Sequence, residues 1–199
     1  MRYKPGHKEE KRKALLKASG SLAKRNGFAA TGVDALMHVA GVTSGAFYGH
    51  FASKTDLFTA LIENEVQASC AMWQNNPQQD IDAWIDCTLN QYLSMQHIQH
   101  PEAGCVLPAL LAEIGRADEK TKNVFAQEMH KGLEIVARLL GSQERAWALV
   151  TQLIGAVQMA RAMPDAATQK SIIEASRQLL KQAFTVNPAP SPRNATPAN

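Results

Sequence analysis

The chain has 199 residues, of which 45% are hydrophobic and 20% charged, a composition typical of a folded globular protein rather than a disordered or fibrous one. No window approaches the roughly 18 apolar residues that a membrane span requires, and no apolar run follows the charged N-terminus, so we expect neither membrane insertion nor secretion. The net charge of +3 is uneven, since residues 1–68 hold ten Lys and Arg against six Asp and Glu, and residues 69–199 hold eleven against twelve.

Cysteine and histidine usage argues against a metal or disulfide protein. Cys70, Cys87 and Cys105 are odd in number and widely spaced, which suits neither a disulfide framework nor a zinc knuckle. His97 and His100 are three residues apart, but Pro101 ends the helix there and no metal site is predicted. We therefore expect no metal or cofactor, and the lack of a predicted span or signal peptide predicts a cytoplasmic protein.

The first elements are an arm and a helix. Residues 1–7 show no apolar pattern and are predicted to be a flexible basic arm. A helix follows over about residues 7–26, because Leu15, Ala18 and Leu22 are spaced as one apolar face. Asn26-Gly27 is a typical helix end.

Two short helical patterns then meet at Gly41, which is the arrangement of a helix-turn-helix over residues 32–51. Thr31 is predicted to cap the first of these helices with its hydroxyl. Gly41 can adopt the left-handed conformation that a sharp turn requires. The second short helix is predicted from about Ser44 to His50.

The outer face of the second short helix is rich in glycine. Phe47 and Phe51 are four residues apart and are assigned to the buried face, so Gly45 and Gly49 lie opposite. Glycine costs about 1 kcal/mol relative to alanine in a helix. Something other than helix stability must favour these glycines, and close approach to a partner is the expected reason.

A third helix is predicted to begin after Ser53, which can cap it together with Asp56. The run GVTSGAFYGHFASKTDL over residues 41–57 resembles the DNA-binding domain of the TetR family of bacterial transcriptional repressors, whose signature has the form G-V-[ST]-x-G-x-[FL]-Y-x-[HY]-F-x-[SN]-K-x-x-L. The chain departs from that signature at no defining position. The resemblance is specific over about residues 8–68.

The resemblance implies a set of DNA contacts and a mode of action. The family's matching positions read bases near the start of the recognition helix and hold phosphates with the tyrosine, the histidine and the lysine. The residues predicted to contact DNA are Thr31, Thr43, Ser44, Gly45, Ala46, Tyr48, His50 and Lys54. A homodimer on a palindromic operator is expected, because one short helix reads too few base pairs.

The remaining chain is predicted to contain helices only. The apolar patterns predict helices over about residues 54–74, 80–97, 104–114, 119–140, 144–163 and 166–186. The fold class is therefore all-α with about nine helices, and residues 69–186 are predicted to form an effector-binding and dimerisation domain. The Pro- and Ala-rich residues 187–199 are predicted to be disordered.

Two functional surfaces are expected in this second half. An effector cavity between the middle helices is predicted to be lined by Trp84, Tyr92, Cys105, Met129 and Trp147, although such residues are more often plain core. Few charges fall on these inner faces, so the effector is expected to be apolar or electrophilic. The last two helices are predicted to form the dimer interface through Trp147, Val150, Ile154, Ile173 and Leu180.

The sequence is also compatible with other modes of action. Cys105 follows Gly104 at a predicted helix start, where the helix dipole lowers a thiol pKa, and some branches of the family carry a Gly-Cys here and respond to electrophiles or oxidants. Transcriptional activation instead of repression is a second alternative. A helical enzyme would need a nucleophile with its base, a phosphate loop or a metal cluster, and no such spacing is present. An interaction module without DNA would leave the Gly45 and Gly49 face unexplained.

Overall fold

A computed structural model describes residues 7–185 of the chain. The predicted tail of 187–199, and the predicted arm apart from His7, lie outside the described residues. Within this range the protein is all-α, as predicted, and no strand is present. The first four helices are α1 (His7–Asn26), α2 (Val33–Ala40), α3 (Ser44–Tyr48) and α4 (Lys54–Gln74).

The six further helices follow the predicted order. They are α5 (Ile81–Tyr92), α6 (Met95–Gln99), α7 (Leu107–Gly115), α8 (Glu119–Leu140), α9 (Gln143–Arg161) and α10 (Ala166–Phe184), with a 3-10 turn over Pro101–Ala103. We call α1–α3 the N-terminal helices and α5–α10 the C-terminal body. Among the described residues, no helix combines the length and apolar content of a membrane span.

Local sequence signals explain most helix ends. Gly27, Gly41 and Gly141 have φ of 81°, 62° and 71°, the left-handed region in which glycine avoids a steric penalty. Ser53 caps α4 as predicted, since its side chain accepts a hydrogen bond from the N–H of Asp56 at 3.0 Å. Ser142 and Asp165 cap α9 and α10 in the same way.

Two local predictions are wrong. Gly32, not Thr31, is the residue before α2, and no side chain caps that helix; the Thr31 hydroxyl instead donates to the carbonyl of Gly27 at 2.6 Å. The helix predicted over residues 80–97 ends at Tyr92 and resumes as α6. Ser94 causes that break, because its hydroxyl donates to the Gln91 carbonyl and accepts the His97 N–H.

The core is continuous from the N-terminal helices to the C-terminal body. Helix α4 joins the two parts, since it follows α3 in the chain, contacts α1 and packs along α8. The two helices lie close together at Gly132, where a methyl group would overlap the sulfur of Cys70. A buried hydrogen bond of 2.8 Å joins the hydroxyls of Thr59 and Thr121 across the same pair of helices.

Candidate nucleic-acid interface

The turn between α2 and α3 has the geometry of a helix-turn-helix. The N–H of left-handed Gly41 bonds to the carbonyl of His38, and the N–H of Val42 bonds to that of Met37, both at 3.1 Å. Thr43 then caps α3, accepting the N–H of Ala46 at 3.3 Å. Three residues therefore redirect the chain from one short helix to the next.

The buried face of α3 is the predicted one. The rings of Phe47 and Phe51 are buried and lie 6.1 Å apart. The guanidinium of Arg12 from α1 lies over the Phe51 ring at 5.0 Å. These contacts fix which side of α3 faces away from the protein.

The outward side presents an open surface. Thr43 and Gly45 are exposed, Ala46 and His50 are half-buried, and Tyr48 is 61% exposed. A Cβ on Gly45 would meet no atom within 4 Å. Nothing inside the protein therefore requires glycine at this position.

Gly49 differs from Gly45 in this respect. A Cβ on Gly49 would lie 3.3 Å from the carbonyl oxygen of Ala46 and 3.4 Å from that of Gly45. A side chain at Gly49 would therefore be more tightly placed than one at Gly45, so the open space around Gly45 is the clearer feature of this face.

The last two predicted contacts, Lys54 and Thr31, lie outside α3. Lys54 begins α4, where its ammonium donates to the carbonyl of Ala29 at 3.1 Å and lies over the ring of Phe28 at 5.0 Å. Two residues on, the pKa of Asp56 is lowered by a hydrogen bond from Lys120, which ties the start of α4 to α8. Thr31 is only 5% exposed, so its side chain does not share the open surface.

The five residues predicted to line an effector cavity do not come together. Trp84 is in the core and Trp147 is 40% exposed on the surface. Tyr92, Cys105 and Met129 line an inner apolar cavity of only about 10 Å³, which has room for no more than a water molecule. The expected apolar cavity is therefore closed in this structure.

A larger space lies beside it, between α1, α4 and residues 91–105. This interdomain cleft has a volume of about 550 Å³ and shares Ser69, Met72, Tyr92 and Cys105 with the inner cavity. Its walls carry charge, unlike those of the inner cavity: Lys17, Lys24, Glu65 and Glu102 all line it. Lys24 pairs with Glu65 at 2.7 Å and also donates to the carbonyl of Gly104 at 3.1 Å.

Cys105 occupies a loop rather than a helix start. Helix α7 begins two residues later, at Leu107, and the Cys105 N–H donates to Nε2 of His97 at 3.1 Å. The pKa of the Tyr92 phenol lies well above its usual value, mainly because the phenol is buried and also because the Cys105 thiol is nearby. Burial also raises the pKa of Cys70 to about 11, so the Cys70 thiol is protonated at neutral pH.

The predicted dimer residues face inward, with one exception. Val150, Ile154, Ile173 and Leu180 are buried in the protomer itself, and only Trp147 is exposed. The large apolar side chains that α9 and α10 do expose include Met159 and Leu179, which are 56% and 61% exposed. Helical periodicity shows that both helices carry apolar residues, but it does not say which stripe covers the protomer's own core.

Sequence reasoning missed one polar junction between the two parts of the chain. The carboxylate of Glu113 in α7 accepts the backbone N–H groups of Phe28 and Ala29 at 3.0 and 2.7 Å. The partners are 85 and 84 residues apart in sequence, and backbone donors leave no residue pattern. No local signal could have identified this contact.

Comparison with known proteins agrees with this geometry. Residues 15–61 match the family model described as bacterial regulatory proteins, tetR family. No curated protein sequence is significantly similar to the chain. The fold is similar to that of Escherichia coli NemR in its reduced form, with 19% identity, a TM-score of 0.75, and coverage of 89% of this chain and 100% of that one.

Two further structures have the same fold. A TetR-family transcriptional regulator from Agrobacterium tumefaciens is 19% identical, with a TM-score of 0.71 and coverage of 90% of this chain and 100% of that one. A TetR-family regulator from Pectobacterium atrosepticum is 22% identical, with a TM-score of 0.65 and coverage of 94% and 100%. The similarity of fold thus extends well beyond the helix-turn-helix.

Proposed function

Because the chain belongs to the TetR family of bacterial regulatory proteins and carries their DNA-binding helix-turn-helix, we propose that this transcriptional regulator is a homodimeric repressor that an effector releases from a palindromic operator. Each protomer places the outer face of α3 in a major groove. Thr43, Ser44, Gly45 and Ala46 approach the bases, and Tyr48, His50 and Lys54 hold phosphates. Thr31 is left out of this set because its side chain is buried.

The observation that carries the proposal is the open face of α3. Gly45 has no neighbour that would exclude a side chain, and Tyr48 exposes most of its ring next to it. A protein gains nothing in its own stability from either feature. Both features are expected if DNA lies against this surface.

A substitution of Gly45 tests the proposal directly. Gly45→Leu adds a side chain where the protein has free space, so the fold is expected to remain at least as stable. The added side chain lies where the groove is proposed to be, and duplex binding is expected to weaken by about tenfold or more. Gly115→Leu is a matched control, because this helical glycine is also open but lies at the end of α7. Equal DNA affinity in the Gly45 variant would contradict the proposed docking.

We place the effector in the interdomain cleft. Its volume of about 550 Å³ lies in the range of roughly 300–1,000 Å³ that is usual for ligand sites. One wall is α1 and another is the segment that leads into α7, so a bound molecule would contact both parts of the chain. The bound effector would favour a conformation of the dimer in which the two DNA-binding domains are no longer spaced like the two half-sites. The protein is then released from DNA because the population shifts toward that conformation.

A thiol-based response is a second candidate, and one observation favours it. Cys105 is half-buried and lines both the cleft and the inner cavity, whereas Cys70 lines only the inner one. An electrophile that enters the cleft would therefore meet Cys105 first. DNA release by the thiol-reactive electrophile N-ethylmaleimide, present in the wild type and absent in Cys105→Ser, would support this response. Release that persists in Cys105→Ser would exclude it.

A further inference from the structure

Glu113 holds the segment that leads into the helix-turn-helix from the side of the C-terminal body. One carboxylate oxygen accepts the N–H of Phe28 at 3.0 Å and the other accepts the N–H of Ala29 at 2.7 Å. Gly27 allows this arrangement, because its φ of 81° turns the chain and its missing side chain leaves room for the carboxylate, whose Oε1 would lie 3.1 Å from a Cβ. Successive amides presented in such a turn form a small anion-binding concavity.

The same segment is held from the opposite side by Lys54. The ammonium donates to the carbonyl of Ala29 at 3.1 Å and lies over the Phe28 ring. Phe28 itself stacks on Phe58 of α4, with ring centroids 4.5 Å apart. Ala29 thus bonds through its N–H to α7 and through its carbonyl to the start of α4. The position of the Lys54 ammonium therefore depends on a peptide that α7 holds.

Helix α7 is also close to the proposed effector site. Leu107, its first residue, lines the inner cavity, and Cys105, two residues before it, lines both the cavity and the interdomain cleft. A ligand that displaces residues 105–107 would move the helix that carries Glu113. A continuous set of contacts thus runs from the cleft through α7 to Lys54.

We propose that Glu113 is a positioning residue for DNA binding: it holds the peptide of Phe28 and Ala29 so that Lys54 can meet a phosphate, and it makes this contact depend on the position of α7. The inference rests on the proposed phosphate contact of Lys54. Hydrogen bonds from backbone amides to a carboxylate are among the stronger ones in proteins. Their loss would let the Phe28–Ala29 peptide, and Lys54 with it, adopt other positions.

A double-mutant cycle on DNA affinity tests this inference. Glu113→Gln keeps the size of the side chain and removes its charge, and is expected to weaken duplex binding about tenfold. In the Lys54→Met background the same change is expected to have less than about a twofold effect, because the residue that Glu113 positions is then absent. A role in folding alone would weaken binding equally in both backgrounds.

Controls separate this role from general loosening of the interface. Glu102→Gln removes another carboxylate that joins the two parts of the chain, through its 3.3 Å pair with Arg25, and its effect is expected to be additive with Lys54→Met. Glu113→Asp keeps the charge but shortens the side chain, and should behave like Glu113→Gln. Hydrogen exchange at the amides of Phe28 and Ala29 should be faster in both Glu113 variants.

The outcomes distinguish this inference from the proposed function. Unchanged affinity in Glu113→Gln, or additivity with Lys54→Met, would overturn the role of Glu113 while wild-type binding still supported the regulator. If Lys54→Met itself left DNA affinity unchanged, the phosphate contact would be wrong and the inference would fail with it. Coupling between the two positions, with normal exchange elsewhere, is the result that the inference expects.

Discussion

Nε2 of His97 accepts a hydrogen bond from the backbone N–H of Cys105 at 3.1 Å. An amide can only donate, so Nε2 carries no proton, and Nδ1 donates its proton to the carbonyl of Tyr92 at 2.7 Å. The buried imidazole is thereby held in one neutral tautomer between α5 and the loop before α7. Gly104 makes room for it, because a methyl group there would overlap the ring.

This arrangement predicts a pH-dependent stability. Burial lowers the pKa of His97 from its usual value of 6.5, so in mildly acidic solution the unfolded chain takes up a proton that the folded chain refuses. The contribution of His97 to stability is complete above about pH 6.5 and is lost as the pH falls below that value.

Urea unfolding at pH 7.5 and pH 5.5 should show the loss. The loss of stability between the two pH values should be smaller in His97→Gln and unchanged in His100→Gln, whose side chain is exposed. An unchanged dependence in His97→Gln would contradict the assignment.

Gly132→Ala is predicted to destabilise the protein. The added methyl would overlap Cys70 Sγ and lie 3.0 Å from the Trp73 ring, and overpacking of this kind costs about 1–3 kcal/mol. Chemical denaturation of Gly132→Ala measures the cost, and Cys70→Ala in the same chain should recover part of it. Gly115→Ala, in open space, should cost nothing. A Gly132 variant as stable as the wild type would show that α4 and α8 are not packed this closely.

The exposed apolar side chains of α9 and α10 predict where protomers meet. We expect the dimer interface predicted on α9 and α10 to include the exposed Met159 and Leu179. Met159→Glu and Leu179→Glu together are then expected to convert the dimer to a monomer in light scattering. Gln127→Glu changes an exposed residue of α8 and should leave the dimer intact. A dimer that survives both charged substitutions would mean that another surface pairs the protomers.

Local patterns predicted the helices well, and they failed where contacts between distant residues decide the outcome. Periodicity and the turn glycines located Gly41 and the buried faces of Phe47 and Phe51, because these depend on neighbours a few residues away. The same periodicity assigned Val150 and Ile154 to a partner surface, although they face the protomer's own core. A helix that is apolar over a wide arc does not reveal which part of the arc its own fold covers.

The candidate sites show the same limit. The position and outward face of α3 could be predicted because one short continuous segment contains them. The interdomain cleft could not, since its walls combine α1 with residues 91–105, and its charges are visible only once these segments pack together. Glu113 was missed for a related reason, because its partners are backbone amides 84 and 85 residues away.

The central claim is that the open face of α3 and the start of α4 bind duplex DNA. Fluorescence anisotropy with labelled duplexes from upstream of the protein's own gene tests it most directly, using the wild type and a Tyr48→Ala, Lys54→Ala double variant. The wild type is expected to bind more weakly as salt increases, and the double variant is expected to lose about tenfold or more in affinity. Binding of equal strength by both proteins, or no binding to any duplex in a random-sequence selection, would contradict the account.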